Sequence, residues 1–155
     1  LIYAIESLKD KSIHLKVVGD NRSDYAQNLI TYIEDKNLQT QIEFVGKKPD
    51  VRSYIATADL YVIPTLNMGR KEGTLGSNIS GINYVLKDFP DLLFEASNVE
   101  DLATSIKKMK AMGALQRKEL GQSLRDYCQK HFTMKQFLDE HEKLYNQLNK
   151  YDGIH

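Results

Sequence analysis

Glu72 stands beside Gly73, after Arg70 and Lys71, in a polar stretch that also holds Thr65 and Gly69. A carboxylate next to glycine in an open loop can accept hydrogen bonds from sugar hydroxyls, and a basic pair beside it can meet a diphosphate. On spacing alone each is equally a solvated loop charge. Two shorter stretches share this character: Gly19, Asp20 and Asn21, and Gly46, Lys47 and Lys48. Glycine lets backbone N–H groups come close to a ligand, and a following helix N-terminus favours phosphate. Glycines also merely end strands, so the three loops gain weight only if one scaffold brings them together.

The scaffold is legible in the apolar pattern. Leu60–Ile63 is a short apolar run between Asp59 and Pro64, as expected of a strand covered on both faces by helices. Pro64 cannot donate to a ladder and so closes the strand. Ile13–Val18 and Ile42–Val45 read as earlier strands, closed by Gly19 and Gly46. Leu1–Leu8 reads as a helix. Ser23 caps another, with Tyr25, Leu29, Ile30 and Ile33 inward, and Pro49 suits the start of a short one with Val51, Tyr54 and Ile55. Strands alternating with helices call for right-handed crossovers and a parallel, doubly wound sheet. In such a sheet ligands bind beyond the carboxyl ends of the strands, so all three loops are expected along one rim.

The second half is more helical. Thr74–Ser77 is a strand stub, Ile82–Leu86 a short helix and Asp91–Phe94 a brief strand. Ser97 and Glu100 form a capping-box pattern for a helix with Val99, Leu102, Ala103, Ile106 and Met109 inward. A further helix presents Leu120, Leu124, Tyr127 and Cys128. Thr133 and Gln136 repeat the capping spacing and start a last helix, with Phe137, His141, Leu144, Tyr145 and Leu148 on one side.

Composition narrows the function classes. The chain has 155 residues, 41% hydrophobic and 27% charged, enough for one domain with a real core. Twenty-one basic side chains balance 21 acidic ones, so no global field favours nucleic acid. The single cysteine, Cys128, forms no internal disulfide and lies in a packing pattern. His14, His131, His141 and His155 are not at metal-ligand spacing. Neither a G-x-G-x-x-G turn nor a P-loop is present, and Asp59 precedes its strand, unlike a phospho-acceptor aspartate. The chain opens at Leu1 inside a helix pattern with no initiator methionine or N-cap, so a fragment of a larger protein is expected.

An ordered series of segments resembles the C-terminal half of GT-B glycosyltransferases, especially the retaining family 4. It comprises L-K-V-V-G-D at 15–20, I-E-F-V-G at 42–46, P-D-V-R-S-Y-I-A-T-A-D-L-Y-V-I-P-T at 49–65 and E-G at 72–73. It ends with S-N-I-S-G at 77–81 and L-L-F-E-A-S-N-V-E-D-L-A at 92–103. The resemblance implies a Rossmann-like three-layer α/β sandwich with a mostly parallel sheet, residues 1–155 being one donor-binding domain. The acceptor domain would be absent and residues 133–151 would form a C-terminal helix that packs on it or, in an isolated fragment, on a second copy.

It further implies that Glu72 is the first glutamate of an E-x7-E motif, whose carboxylates hold the donor sugar and ribose. Gly73 would begin the backbone near sugar and phosphates, and Thr65 would open the same loop. Gly46, Lys47 and Lys48 would contact the base, with Gly19 and Asp20 at the pocket's edge. Transfer would run from a nucleotide-diphosphate sugar to a carbohydrate or lipid-linked acceptor hydroxyl with retention, with no metal or cofactor required. A polysaccharide-forming enzyme on the cytoplasmic side, membrane-associated in its full-length form, fits that picture.

Two departures stand out. The second glutamate's position is Ser80, and only Thr74, Leu75 and Gly76 occupy the interval where the family has a helix and the lead into the next strand. The expectation is an omitted stretch; the alternative is a loss, and with it much of the donor site. The second departure is at the start: the family's diphosphate-gripping basic pair is expected ahead of Leu1, as is the first strand of the domain. A non-catalytic nucleotide- or partner-binding module and a nucleotide-sugar epimerase of the same architecture remain the rival readings.

Overall fold

The computed structural model describes residues 1–63, 74–79 and 81–151. Its first half runs α1 (Ile2–Leu8), β1 (Leu15–Val18), α2 (Asp24–Asp35), β2 (Ile42–Gly46), α3 (Arg52–Thr57) and β3 (Tyr61–Ile63). Then follow β4 (Thr74–Ser77), α4 (Ile82–Val85), a 3-10 turn at Pro90–Leu92, β5 (Leu93–Phe94), α5 (Val99–Ala111), α6 (Ala114–His131) and α7 (Met134–Tyr151).

Every strand pairing among the described residues is parallel, as the alternation of strands and helices requires. Among the described residues the hydrogen bonding divides the strands into two sheets, β1–β2 and β3–β4–β5, rather than one. Both feed one apolar core, in which Ile33 and Ile42 join Leu75, Phe94 and Leu102. α1 packs on α5 within that core, burying Ile2, Ala4, Ile5 and Leu8 against the stripe Leu102, Ala103, Ile106 and Met109. The stub at Thr74–Ser77 is the central strand of its sheet, which explains why Leu75 is wholly buried and Ser77 nearly so.

Side-chain caps set the starts of α2, α5 and α7. Ser23 accepts a hydrogen bond from the Ala26 N–H at 3.2 Å and so caps α2. Thr133 and Gln136 satisfy each other's backbone N–H groups, both at 3.1 Å, a complete capping box for α7. The cap of α5 is one residue later than expected. Ser97 adopts φ 64, and Asn98 takes the Asp101 N–H at 3.0 Å. Asparagine caps as well as serine, and the left-handed turn at Ser97 puts Asn98 at the helix mouth. On α2, Ala26 and Ile33 form the buried stripe while Tyr25 is 73% exposed, contrary to its expected inward place.

Polar contacts tie α1 to its neighbours. Tyr32 on α2 donates to Glu6, which pushes the phenol up to about 12. Asp10, just past α1, accepts from Lys110 Nζ at the end of α5. That bond first, then those from Ser12, holds the Asp10 carboxyl down from 3.8 to about 2. A carboxyl whose folded value is depressed stabilises the fold above its unfolded value and loses that contribution as pH falls through the folded one. Stability should therefore decline from about pH 4 towards about pH 2, and Asp10→Asn should flatten that slope modestly, since the pair is solvated. Denaturation midpoints recorded across this pH range check it; parallel curves for the two proteins would refute it.

The last helix leaves its apolar side open. Phe137 is 54% and Leu144 53% exposed, and Tyr145 lies beside them, unpacked. This is the face that was expected to need a partner.

Candidate functional site

The site begins where β1 and β2 end. In register, Leu15 faces Ile42, Lys16 faces Glu43 and Val17 faces Phe44, but Val18 faces Gly46. The extra residue, Val45, is a bulge, and Gly46 carries it with φ +77, a conformation that costs other residues about 1–2 kcal/mol. The bulge brings the two strand exits together: the Gly19 N–H donates to the Gly46 carbonyl at 3.2 Å. Gly19 is exposed, and a β-carbon added at either glycine would meet nothing within 4 Å. A ligand can thus approach two backbone segments at one place.

Charge surrounds this junction. Asp20 follows Gly19, and its carboxylate receives the Arg22 backbone N–H at 3.0 Å and the Arg22 guanidinium at 2.9 and 2.7 Å. Those bonds, the side-chain ones foremost, hold the Asp20 carboxyl far below the usual carboxylate range, with a smaller contribution from the Lys47 charge. Lys47 and Lys48 are exposed just past the bulge. A second clip of the same form follows β2, where Asp50 receives the Arg52 N–H at 2.9 Å and its guanidinium at 2.9 and 2.8 Å.

The structure therefore gathers Gly19, Asp20, Gly46 and Lys47, with Lys48 next in the chain. Thr65, Glu72 and Gly73 lie outside the described residues, as do Arg70, Lys71 and Ser80. Arg22 was not anticipated. Its only signal is the Asp-x-Arg spacing directly after a strand, a local side-chain-to-backbone turn.

The environment of Ser77 was likewise unanticipated. This residue ends β4, is 2% exposed, and its hydroxyl has no hydrogen-bond partner among the described residues. A buried, unsatisfied hydroxyl costs about 1–3 kcal/mol of desolvation, so Ser77→Ala should leave the melting temperature unchanged or raise it. A clear fall in a thermal melt would show that the hydroxyl is satisfied after all.

A cavity of about 250 Å³ lies between α2 and β2, floored by Ile30, Ile33, Ile42 and Phe44 and edged by Asn21, Glu34 and Gln39. Among the described residues no cation lines it, so it does not suit a phosphate. Among the described residues no cluster of metal-ligating side chains occurs, and no helix is long and apolar enough to cross a membrane.

The family described as glycosyl transferases group 1 matches residues 1–112, from α1 to just past α5. The chain belongs to that family. Two solved structures share the fold of this glycosyltransferase domain. One is a sucrose-phosphate synthase from Thermosynechococcus elongatus (TM-score 0.75, 21% identity), which covers 97% of this chain and 42% of its own. The other is a glycosyltransferase from Rickettsia africae ESF-5 (TM-score 0.80, 19% identity), covering 97% and 44%. The chain thus spans less than half the length of either. No curated protein matches it. The expected α/β architecture with parallel sheets is the one observed. α6 and α7 lie beyond the family match but within the structural one, which extends over nearly the whole chain.

Proposed function

We propose that this domain binds the nucleotide-diphosphate sugar of a retaining glycosyltransferase, the acceptor hydroxyl being supplied from a second domain. The observation that carries the reading is the Gly19–Gly46 hydrogen bond between two parallel strand exits. It sets exposed backbone, with Lys47 and Lys48 next in the chain, at the carboxyl ends of the strands, where open α/β sheets bind ligands.

In this reading Gly46, Lys47 and Lys48 meet the nucleotide, Gly19 and Asp20 border it, and Thr65 and Gly73 belong to the loop beside the sugar. Glu72 is the carboxylate that accepts from the sugar hydroxyls. The glycosyl–phosphate bond breaks as the acceptor oxygen bonds to the same face of the anomeric carbon, and the acceptor's hydroxyl proton passes to the departing diphosphate. The departing diphosphate is stabilised by basic side chains and helix N-termini aimed at the developing charge.

Calorimetric titration of the chain with ADP, GDP and UDP tests the reading. Binding of one of them, with the matching nucleotide sugar competing, supports it. Absence of binding by all three, together with no glycosyl transfer by a protein carrying this domain, would refute it.

A further inference from the structure

Asp20 borders the proposed nucleotide site, yet its oxygens are already occupied. Oδ1 accepts the Arg22 backbone N–H at 3.0 Å and the Nε–H at 2.9 Å, and Oδ2 accepts an Nη2–H at 2.7 Å. A carboxylate so engaged has little left to offer a sugar or a base. What the clamp does present is the guanidinium, fixed along one edge, with Nη1 making no hydrogen bond to a described residue. The Arg22 side chain is 81% exposed.

Stability does not account for this arrangement, because exposed ion pairs contribute little to it. Preorganisation does: an arginine already held in one rotamer loses less entropy when it takes hold of an anion. Its surroundings suit that task. The neighbouring Gly19 is bonded to Gly46, and Lys47 lies close enough for its charge to act on Asp20.

We propose that Arg22 contacts a phosphate of the bound nucleoside diphosphate and that Asp20 is its positioning residue rather than a ligand contact. The inference rests on the donor-binding reading above and adds to it a residue and a division of labour. Arg22 supplies the fork of N–H donors that a phosphate oxygen pair accepts. Asp20 fixes the fork's direction, and Lys47 adds charge from the β2 side.

The test is calorimetry on the chain with whichever of ADP, GDP or UDP the unaltered chain binds best, and with the corresponding nucleoside. Arg22→Ala should weaken the diphosphate about tenfold and leave the nucleoside unchanged. Asp20→Asn gives a test of sign. Removing a negative charge beside an anion would by itself tighten binding, whereas losing the clamp should weaken it. In the double variant, with no guanidinium left to hold, Asp20→Asn should cause no further loss and, by removing the charge, should partly restore diphosphate binding. Both residues are exposed, so circular dichroism should be unaltered in all three variants.

Tighter binding by Asp20→Asn, or unchanged binding by Arg22→Ala, would overturn the inference while leaving the donor-binding reading intact. Failure of the unaltered chain to bind any of the three diphosphates would remove both.

Discussion

Gly76→Ala is expected to destabilise the domain by about 1–3 kcal/mol, the range found when a packed core receives an extra methyl group. A β-carbon at Gly76 would sit 2.5 Å from Ile82 Cγ2 and 3.1 Å from Leu86 Cδ1, whereas open space surrounds Gly19, Gly46, Gly81 and Gly113. The contact is inescapable because Gly76 pairs with Ile63 on one side and Leu93 on the other. A central strand held on both edges cannot yield, so α4 must lift. Melting temperature should fall about 2–4 °C for each kcal/mol lost in a domain of this size. Ile82→Ala removes the obstructing atom, so the glycine substitution should cost less in that background. Equal cost in both backgrounds, or no cost at all, would show that α4 does not press on β4 as described.

What the sequence disclosed and what it concealed divide along physical lines. The inward face of α5 was legible because Leu102, Ala103, Ile106 and Met109 recur at helical spacing among lysines and acids, and all four are buried. The capping box at Thr133 and Gln136 was legible because it is a contract between two residues three apart. Ser97 failed for the complementary reason: Asn98 is an equally good cap, and the φ 64 turn that selects it is not encoded by residue type alone. Tyr25 failed because it lies at the margin of the stripe, where the smaller Ala26 is buried instead. Division into two sheets was hidden altogether. Which strand edges hydrogen-bond is decided by tertiary neighbours, and Leu15–Val18 reads the same beside one partner as beside two.

The candidate site shows the same division. Gly19 and Gly46 were readable as strand ends, and their approach follows from parallel pairing. The bulge that makes the approach a hydrogen bond depends on Val45 being extra, a matter of register rather than composition. Asp20 was placed only at the pocket's edge, because sequence does not reveal which acid has already found a base. Its occupation by Arg22 leaves the guanidinium, rather than the acid, as the group presented to an anion.

Glu72→Ala is expected to weaken binding of the nucleotide sugar about ten- to hundredfold while hardly weakening the nucleoside diphosphate. A carboxylate that accepts sugar hydroxyls makes charge-assisted hydrogen bonds, each worth about 1.5–3 kcal/mol, and alanine forfeits them. Coulomb repulsion acts in the opposite direction. An acid near a diphosphate disfavours it, so the substitution should leave the diphosphate alone unchanged or slightly tighter. The difference between the two ligands therefore isolates the sugar contact from any general disturbance of the loop. Glu72→Gln retains one acceptor oxygen without the charge and should fall between. If Glu72 is only a solvated loop charge, all three proteins should bind the nucleotide sugar alike, and the sugar-holding role assigned to it would have to pass to another residue.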